Sequence, residues 1–419
     1  ALAANPDTNF LMTAGDQINT SKNEYEYAGF LNASALQNYA LSTAIGNHDS
    51  SNSNYSDHYN NPNTGLSTEG ATVAGTDYYY TYGNTLFIIL DTNNYNCASH
   101  EAVMKKAVEE NPDAQWRVVM FHQDIYGAGD PHWDSDGMVL RTQLTPLMDK
   151  YDIDVVLQGH DHTYSRTYQL SSDGKEHTAY NKDNYRNDPE YQEQNNCYVI
   201  NSDVVGGTVI DPAGTVYLET NSSTGSKFYE LEVGQQDFIA EKNQTWTPSY
   251  SVLSVDENSF TIATYDVTTG ELLGDSSIYT IVKSADKTDL NAAIAEAKKL
   301  VKDDYTAESW TAFETALKAA EAVAADEEAT DSEVAQAVAD LAKAKAELVL
   351  AEEPSTPSEK PDTTEKPDAT EKPEATEKPD SNPTTGDNGA LLYALVAMMS
   401  GLGIAGIVYS EKRKNTSAR

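Results

Sequence analysis

The sequence predicts an α/β fold, two sheets packed as a sandwich and flanked by helices. A three-helix bundle, a disordered proline-rich linker and a C-terminal transmembrane helix follow it. Three observations carry this reading. Residues 1–283 alternate strand-like and helix-like hydrophobic patterns. At about Asp286 the composition turns abruptly to Ala, Glu, Lys and Leu with apolar residues three and four apart. From Glu352 the chain turns low-complexity, with proline at every sixth residue over 358–381, and a run of twenty uncharged residues, Ala390 to Tyr409, lies near the end.

Four apolar runs of strand length organise the first region. They are FLMTAGD (10–16), STAIGNHD (42–49), WRVVMFH (116–122) and IDVVLQGHDH (153–162), and each ends in a metal-ligand type, mostly at a glycine. In open α/β sheets ligands collect beyond the carboxyl ends of the strands. Asp16, Asn47, His122, His160 and His162 are therefore predicted to converge on one spot. Oxygen and imidazole donors suit Zn, Mn or Fe, and a shared carboxylate can bridge two ions. Helical spacing marks Glu101 to Asn111, which stops at Pro112, and Leu140 to Tyr151, despite Pro146. The polar stretches Ser50–Thr76 and Ser171–Asn196 read as long loops, which in compact domains are usually functional or mobile. Runs at 214–223, 227–233, 250–256, 259–267 and 278–283 read as strands closing the second sheet.

The ordered set GD, GNHD, H and GHDH resembles the calcineurin-like metallophosphoesterases, over roughly residues 1–283. The stretch GHDHTYSRT (159–167) looks most like the purple-acid-phosphatase branch. The resemblance implies a metal-dependent phosphoesterase with two divalent or trivalent ions, Fe, Zn or Mn. Asp16 would bridge them; Asn47, His122 and His160 would complete one, and His162 would bind the other. His48 would not be a ligand but would reach the phosphoryl oxygens and help the leaving group, with Asp49 placed to orient it. Two cations would clamp the phosphate and acidify a bound water, whose hydroxide attacks phosphorus in line with the leaving group.

Two departures from the family pattern stand out. Asn19 occupies the position of the tyrosine whose charge transfer to iron colours purple acid phosphatases, implying a colourless site. The family's first motif, Asp-x-Gly or Asp-x-His on a first strand, has no counterpart before Phe10. The sequence thus reads as an N-terminally truncated piece that holds the second metal poorly and catalyses weakly.

Other residues are open to two readings. His132, in the loop after His122, is a candidate for lining the substrate cleft. Tyr164 and Arg166 closely follow GHDH. Arginine suits phosphate clamping, with a salt bridge as the alternative. His58, His100 and His177 read as structural. Cys97 and Cys197 give no disulfide framework and read as separate thiols unless close. A net charge of −38 excludes a nucleic-acid-binding surface.

The region 286–350 predicts three amphipathic helices, 289–303, 307–325 and 332–350, with start signals at Thr306/Ser309 and Thr330/Ser332. It resembles the FIVAR modules of Gram-positive surface proteins and reads as a stalk. Residues 351–381 carry the hexads SEKPDT, TEKPDA, TEKPEA and TEKPDS from Ser358 to Ser381 and predict an extended, solvated linker. Residues 382–419 open with Asn382-Pro-Thr-Thr385-Gly386 and continue with the apolar span 390–409 and a basic Glu411-Lys-Arg-Lys414 tail. At about 1.5 Å per residue the span crosses a bilayer core, with the basic tail cytoplasmic. The combination resembles a sortase cell-wall sorting signal, though Asn382 stands where leucine is usual. It implies sortase and peptidoglycan as partners, cleavage between Thr385 and Gly386, and an extracellular, wall-anchored Gram-positive location. The functional reading is a cell-surface metallophosphoesterase acting on extracellular phosphate esters. The alternative is a surface-displayed binding or adhesion protein with a vestigial metal site.

Overall fold

The computed structural model describes residues 1–351, apart from 67–68, 131, 133–135, 182–183, 185–187, 235 and 275–277. The linker, the pentapeptide with Thr385 and Gly386, and the apolar span 390–409 lie outside the described residues. Among the described residues no helix is long and apolar enough to cross a membrane.

The centre is a seven-stranded mixed sheet. Its order is Ile239–Asn243, Tyr164–Thr167, Val216–Glu219, Val155–Gly159, Trp116–Gln123, Thr85–Ile89, Tyr78–Tyr82. The four strands from 216–219 to 85–89 are mutually parallel; 164–167 and 78–82 run antiparallel to them, and 239–243 pairs antiparallel with 164–167. The parallel strands are apolar on both faces, as they must be when both faces are covered. Val119 and Phe121 point to one face, where Val103, Met104, Leu140, Leu144 and Met148 of the helices Cys97–Glu110 and Asp136–Lys150 pack. Val118 and Met120 point to the other, against Phe260, Ile262, Tyr279 and Ile281.

Those last four belong to a four-stranded sheet ordered Gly207–Ile210, Ile278–Val282, Ser259–Asp266, Ser249–Val255. The layering is thus helices, large sheet, small sheet: the sandwich expected from the sequence. Two strand assignments change. The 214–223 run contributes Val216–Glu219 to the large sheet rather than the second one. The 227–233 run yields only Glu230–Leu231, paired with Gly129–Asp130. The parallel pair Phe10–Thr13 and Ala40–Thr43 places Phe10, Met12 and Ala44 against the core between the two sheets.

The polar stretch 50–76 contains the helix Asn54–His58. Its Tyr55 is buried and donates its hydroxyl to the Thr43 carbonyl at 2.8 Å. The stretch 171–196 contains the helix Pro189–Gln194. Pro146 is accommodated inside Asp136–Lys150. Cys97 and Cys197 are both free and buried, and burial pushes the Cys97 thiol up to about 12.

The C-terminal bundle comprises Thr288–Ala297, Ala307–Ala325 and Asp331–Ala346 around Leu290, Ile294, Phe313, Val334 and Leu341. The first helix is shorter than the pattern suggests; a 3₁₀ turn at Lys302–Asp304 follows it. Thr306 caps the second helix through the Ser309 amide. Thr330 and Glu333 form a reciprocal capping box on the third.

Candidate metal centre

The site assembles where strands end. Asp16 and Asn47 follow the strands 10–13 and 40–43, His122 closes 116–123, and His160 and His162 follow 155–159. The chain turns sharply at three of these positions. Asp16, His160 and His162 all have positive φ (53°, 82° and 52°), a region that costs a non-glycine residue energy and is found where function demands it. Gly15, at φ 108°, lets the turn press against its neighbours. A Cβ there would lie 2.5 Å from Nδ1 of His122 and 2.9 Å from the backbone of Gly46.

The Nδ1 of His122 lies 2.8 Å from the Ala14 carbonyl. That contact fixes the N–H on Nδ1 and leaves a lone pair on Nε2. Three further acceptors surround this nitrogen: Asn47 Oδ1 at 2.9 Å, His160 Nδ1 at 3.1 Å and Asp16 Oδ2 at 3.4 Å. Lone pairs directed at one another repel unless a cation or a proton lies among them. This donor set fits one metal ion of the imidazole- and carboxylate-binding kind. His162 stands to one side. It is not among the ligand atoms of Asp16, His122 and His160 that lie within 4.8 Å of one another, and its buried Nδ1 has no hydrogen-bond partner among the described residues. Burial, reinforced by the Lys227 ammonium, pushes the His162 imidazole down to about 4, so the ring is neutral and able to ligate.

Asp16 is ionised. Burial opposes its charge, but the His122 imidazole and the His48 amide, 2.9 Å from Oδ1, hold the carboxyl well below the usual range. His48 is partly exposed, and its Nδ1 lies 2.7 Å from the backbone carbonyl of Asn19. That bond, rather than Asp49, fixes its ring. Asp49 instead accepts the Gly46 amide at 2.9 Å and is fully buried, so it shapes the GNHD turn. The reason is geometric: the turn folds the Asp49 side chain back onto its own backbone, away from the His48 ring.

Burial pushes Asp49 up to about 7, assisted by the charge of Asp16. An ordinary aspartate titrates near 3.9. The folded pKa is raised, so this stability is complete below about pH 4 and is lost as pH rises through about 7, a span worth on the order of a few kcal/mol. In chelator-treated protein the melting temperature should therefore fall between pH 5 and pH 8. Asp49→Asn, which keeps an oxygen for the Gly46 amide, should flatten that slope relative to the parent. Parallel slopes in parent and variant would contradict the assignment.

The remaining candidates separate. His132 is at the centre: its ring stacks on His160 at 4.2 Å and meets Tyr229 edge-on at 4.7 Å. Tyr164 and Arg166 are not at a surface. Both are fully buried in the large sheet. The Tyr164 hydroxyl donates to Glu241 at 3.2 Å, and Arg166 pairs with Glu241 at 3.7 Å with its guanidinium over the Tyr279 ring at 4.4 Å. They brace the sandwich, and substrate cannot reach them. The reason lies in strand pairing: both sit on 164–167, which is enclosed between 216–219 and 239–243. His100 is structural, held by Asp77 at 2.7 Å and the Asn94 carbonyl at 2.8 Å.

Two residues escaped the sequence reading. Tyr229 lies 5.1 Å from His162 ring to ring, and the exposed Lys227 has its ammonium over the Tyr229 ring at 4.6 Å. Both lie in a segment whose pattern suggested only a strand, with no motif to mark them.

Residues 1–164 match the family model described as calcineurin-like phosphoesterase, and residues 286–349 match that of the FIVAR domain. The chain is 23% identical over 125 residues to purple acid phosphatase 1 of Ipomoea batatas, 29% of this chain and 25% of that one. It is 31% identical over 175 residues to a polysaccharide lyase 8 family protein, HylA, of Enterococcus faecalis, 39% of this chain and 12% of that one. Among solved structures, the purple acid phosphatase PPD1 from yellow lupin superposes with a TM-score of 0.46 at 14% identity, covering 67% of this chain and 48% of that one. The chain spans a quarter or less of the length of these two sequence relatives. It thus carries one region that matches the calcineurin-like phosphoesterase family and one that matches the FIVAR domain.

Proposed function

We propose that this chain hydrolyses phosphate esters at a two-metal centre and does so at the outer surface of a Gram-positive cell. The observation that carries the chemistry is the convergence of Asn47 Oδ1, His160 Nδ1 and Asp16 Oδ2 on Nε2 of His122. Asp16, Asn47, His122 and His160 would hold one ion, and Asp16 with His162 the other. When bound, the ions supply Lewis acidity toward the phosphoryl oxygens and toward water. The chain's own residues do the rest. The Asn19 carbonyl accepts from the His48 Nδ1–H, and with the ring doubly protonated its other nitrogen, Nε2, would give its proton to the leaving alkoxide. Lys227 adds a positive charge beside His162 that favours an anionic substrate. His132 and Tyr229 wall the approach to His160 and His162.

The test is hydrolysis of p-nitrophenyl phosphate before and after metal stripping. Stripping should lower the rate at least about 100-fold, with recovery on adding Zn, Mn or Fe, since the metal supplies the principal charge stabilisation. An unchanged rate after stripping would overturn the proposal. A reconstituted protein that retains metal but hydrolyses nothing would favour the binding or adhesion reading instead.

The location rests on the Asn382–Gly386 pentapeptide, the apolar span and the basic tail. Mass spectrometry of wall protein released by muramidase should find Thr385 joined to a peptidoglycan stem. Recovery of an intact 390–409 span from membranes alone would replace wall linkage with a simple membrane anchor.

A further inference from the structure

Beneath the histidines lies a second group of ligand atoms that the chemistry above does not use. Asp124, Asp161 and Glu219 are fully buried, and their carboxylate oxygens all lie within 4.8 Å of one another. They come from three adjacent parallel strands: one residue beyond 116–123, two beyond 155–159, and the last residue of 216–219. Donors meet only part of this charge. The Gly129 amide reaches Asp161 Oδ2 at 2.7 Å and Thr163 Oγ1 reaches Glu219 Oε2 at 3.2 Å. Among the described residues no N–H or hydroxyl donor reaches either oxygen of Asp124, whose carboxyl meets that of Asp161, or Oε1 of Glu219.

The nearby cations point elsewhere. Lys242 donates to the Glu232 carbonyl at 2.8 Å and to Gln236 at 3.2 Å, and Arg166 faces Glu241. Among the described residues two imidazoles approach: His160 and His132 both act on the Asp124 carboxyl, and His132 Nδ1 lies 3.4 Å from Asp161 Oδ1. Three ionised carboxylates cannot stay buried together without positive charge among them.

A further group, not acidic, faces the same place. Ser165 is directly opposite Glu219 in the antiparallel register, so both side chains leave the same face of the sheet. It is 1% exposed, and its hydroxyl has no hydrogen-bond partner. It is therefore a neutral oxygen on Glu219's side of the sheet, and hard divalent cations take oxygen ligands at about 2.3–2.6 Å. The Gly127 backbone lies against the cluster; a Cβ there would lie 2.7 Å from Asp161 Oδ2 and collide with Asp124.

We propose that Asp124, Asp161, Glu219 and the Ser165 hydroxyl bind a hard, oxygen-preferring divalent cation, calcium above all, as a structural ion separate from the histidine-lined centre. Asp161 stands between His160 and His162, and Asp124 two residues after His122. The ion ties together the strand ends that carry these three histidines. It needs no imidazole, which separates it from the Zn, Mn or Fe of the neighbouring centre.

The experiment measures calcium by mass spectrometry in the full chain after growth with calcium and gel filtration, alongside His122→Ala, Asp124→Asn and Glu219→Gln. One equivalent should be found in the parent and in His122→Ala, and less than a tenth of that in the other two. Adding calcium to the chelator-treated parent should raise its melting temperature by several degrees, saturably, and should leave Asp124→Asn unmoved. If Glu219→Gln does not fold, Asp124→Asn and the parent's own calcium-dependent shift carry the test. A folded parent with no bound calcium and no calcium-dependent shift overturns the proposal. So does a Glu219→Gln variant that melts higher than the parent, the signature of carboxyls buried in protonated form.

Discussion

His122→Ala should lose bound metal and hydrolytic activity together, with turnover down about 1,000-fold or more, because disturbing even the partners of a metal ligand costs 10–100-fold. His122 is the hub of the centre. Its ring holds Ala14 through Nδ1, and Nε2 is the atom on which Asn47, His160 and Asp16 converge. Removing it deletes one ligand and leaves the other donors without a common focus. It also takes away the imidazole that holds Asp16 in its ionised form. The fold should survive, since the strand 116–123 keeps its apolar contacts on both faces. Metal content by mass spectrometry, rate on p-nitrophenyl phosphate and far-ultraviolet circular dichroism separate the possibilities. Full metal content in a folded His122→Ala protein would remove the residue from the centre.

The second large effect belongs to His48. His48→Ala should keep both metal content and melting temperature while lowering kcat by about 100- to 10,000-fold, the range for a positioned general acid. The physical argument is the division of labour in GNHD. Asn47 turns its Oδ1 to Nε2 of His122, Asp49 secures the turn through the Gly46 amide, and among the described residues the His48 ring is held by the Asn19 carbonyl alone. The ring can therefore be removed without disturbing a ligand. The loss should be greatest for substrates with poor leaving groups, which need a proton most, and smallest for p-nitrophenol. Equal losses across leaving groups would show that His48 stabilises charge rather than delivering a proton. An unaltered kcat would take it out of the reaction altogether.

Much of this was legible in the sequence because it depends on neighbours along the chain. A strand buried on both faces needs a continuous apolar run, so the runs ending at His122 and His160 identified their strands, and the shorter runs before Asp16 and Asn47 identified theirs although those strands are only partly buried. The bundle was legible for the same reason. Its helices follow from three- and four-residue periodicity, and its third start follows from Thr330 and Glu333 capping each other three residues apart.

What the tertiary structure alone decided depends on residues far apart in the chain. Arg166 follows the GHDH motif by four residues, yet it is enclosed, because the strand carrying it pairs on both sides with segments about 50 and 75 residues away. Lys227 and Tyr229 arrive beside His162 from a segment with no motif of its own. Asp124, Asp161 and Glu219 look unremarkable in sequence and become a buried cluster only when three parallel strands align. Even the tautomer of His122 is set across 108 residues, by the carbonyl of Ala14. Local pattern fixes which residues can be ligands. Strand order and register, which minimise exposed apolar surface across the whole sandwich, fix which of them meet.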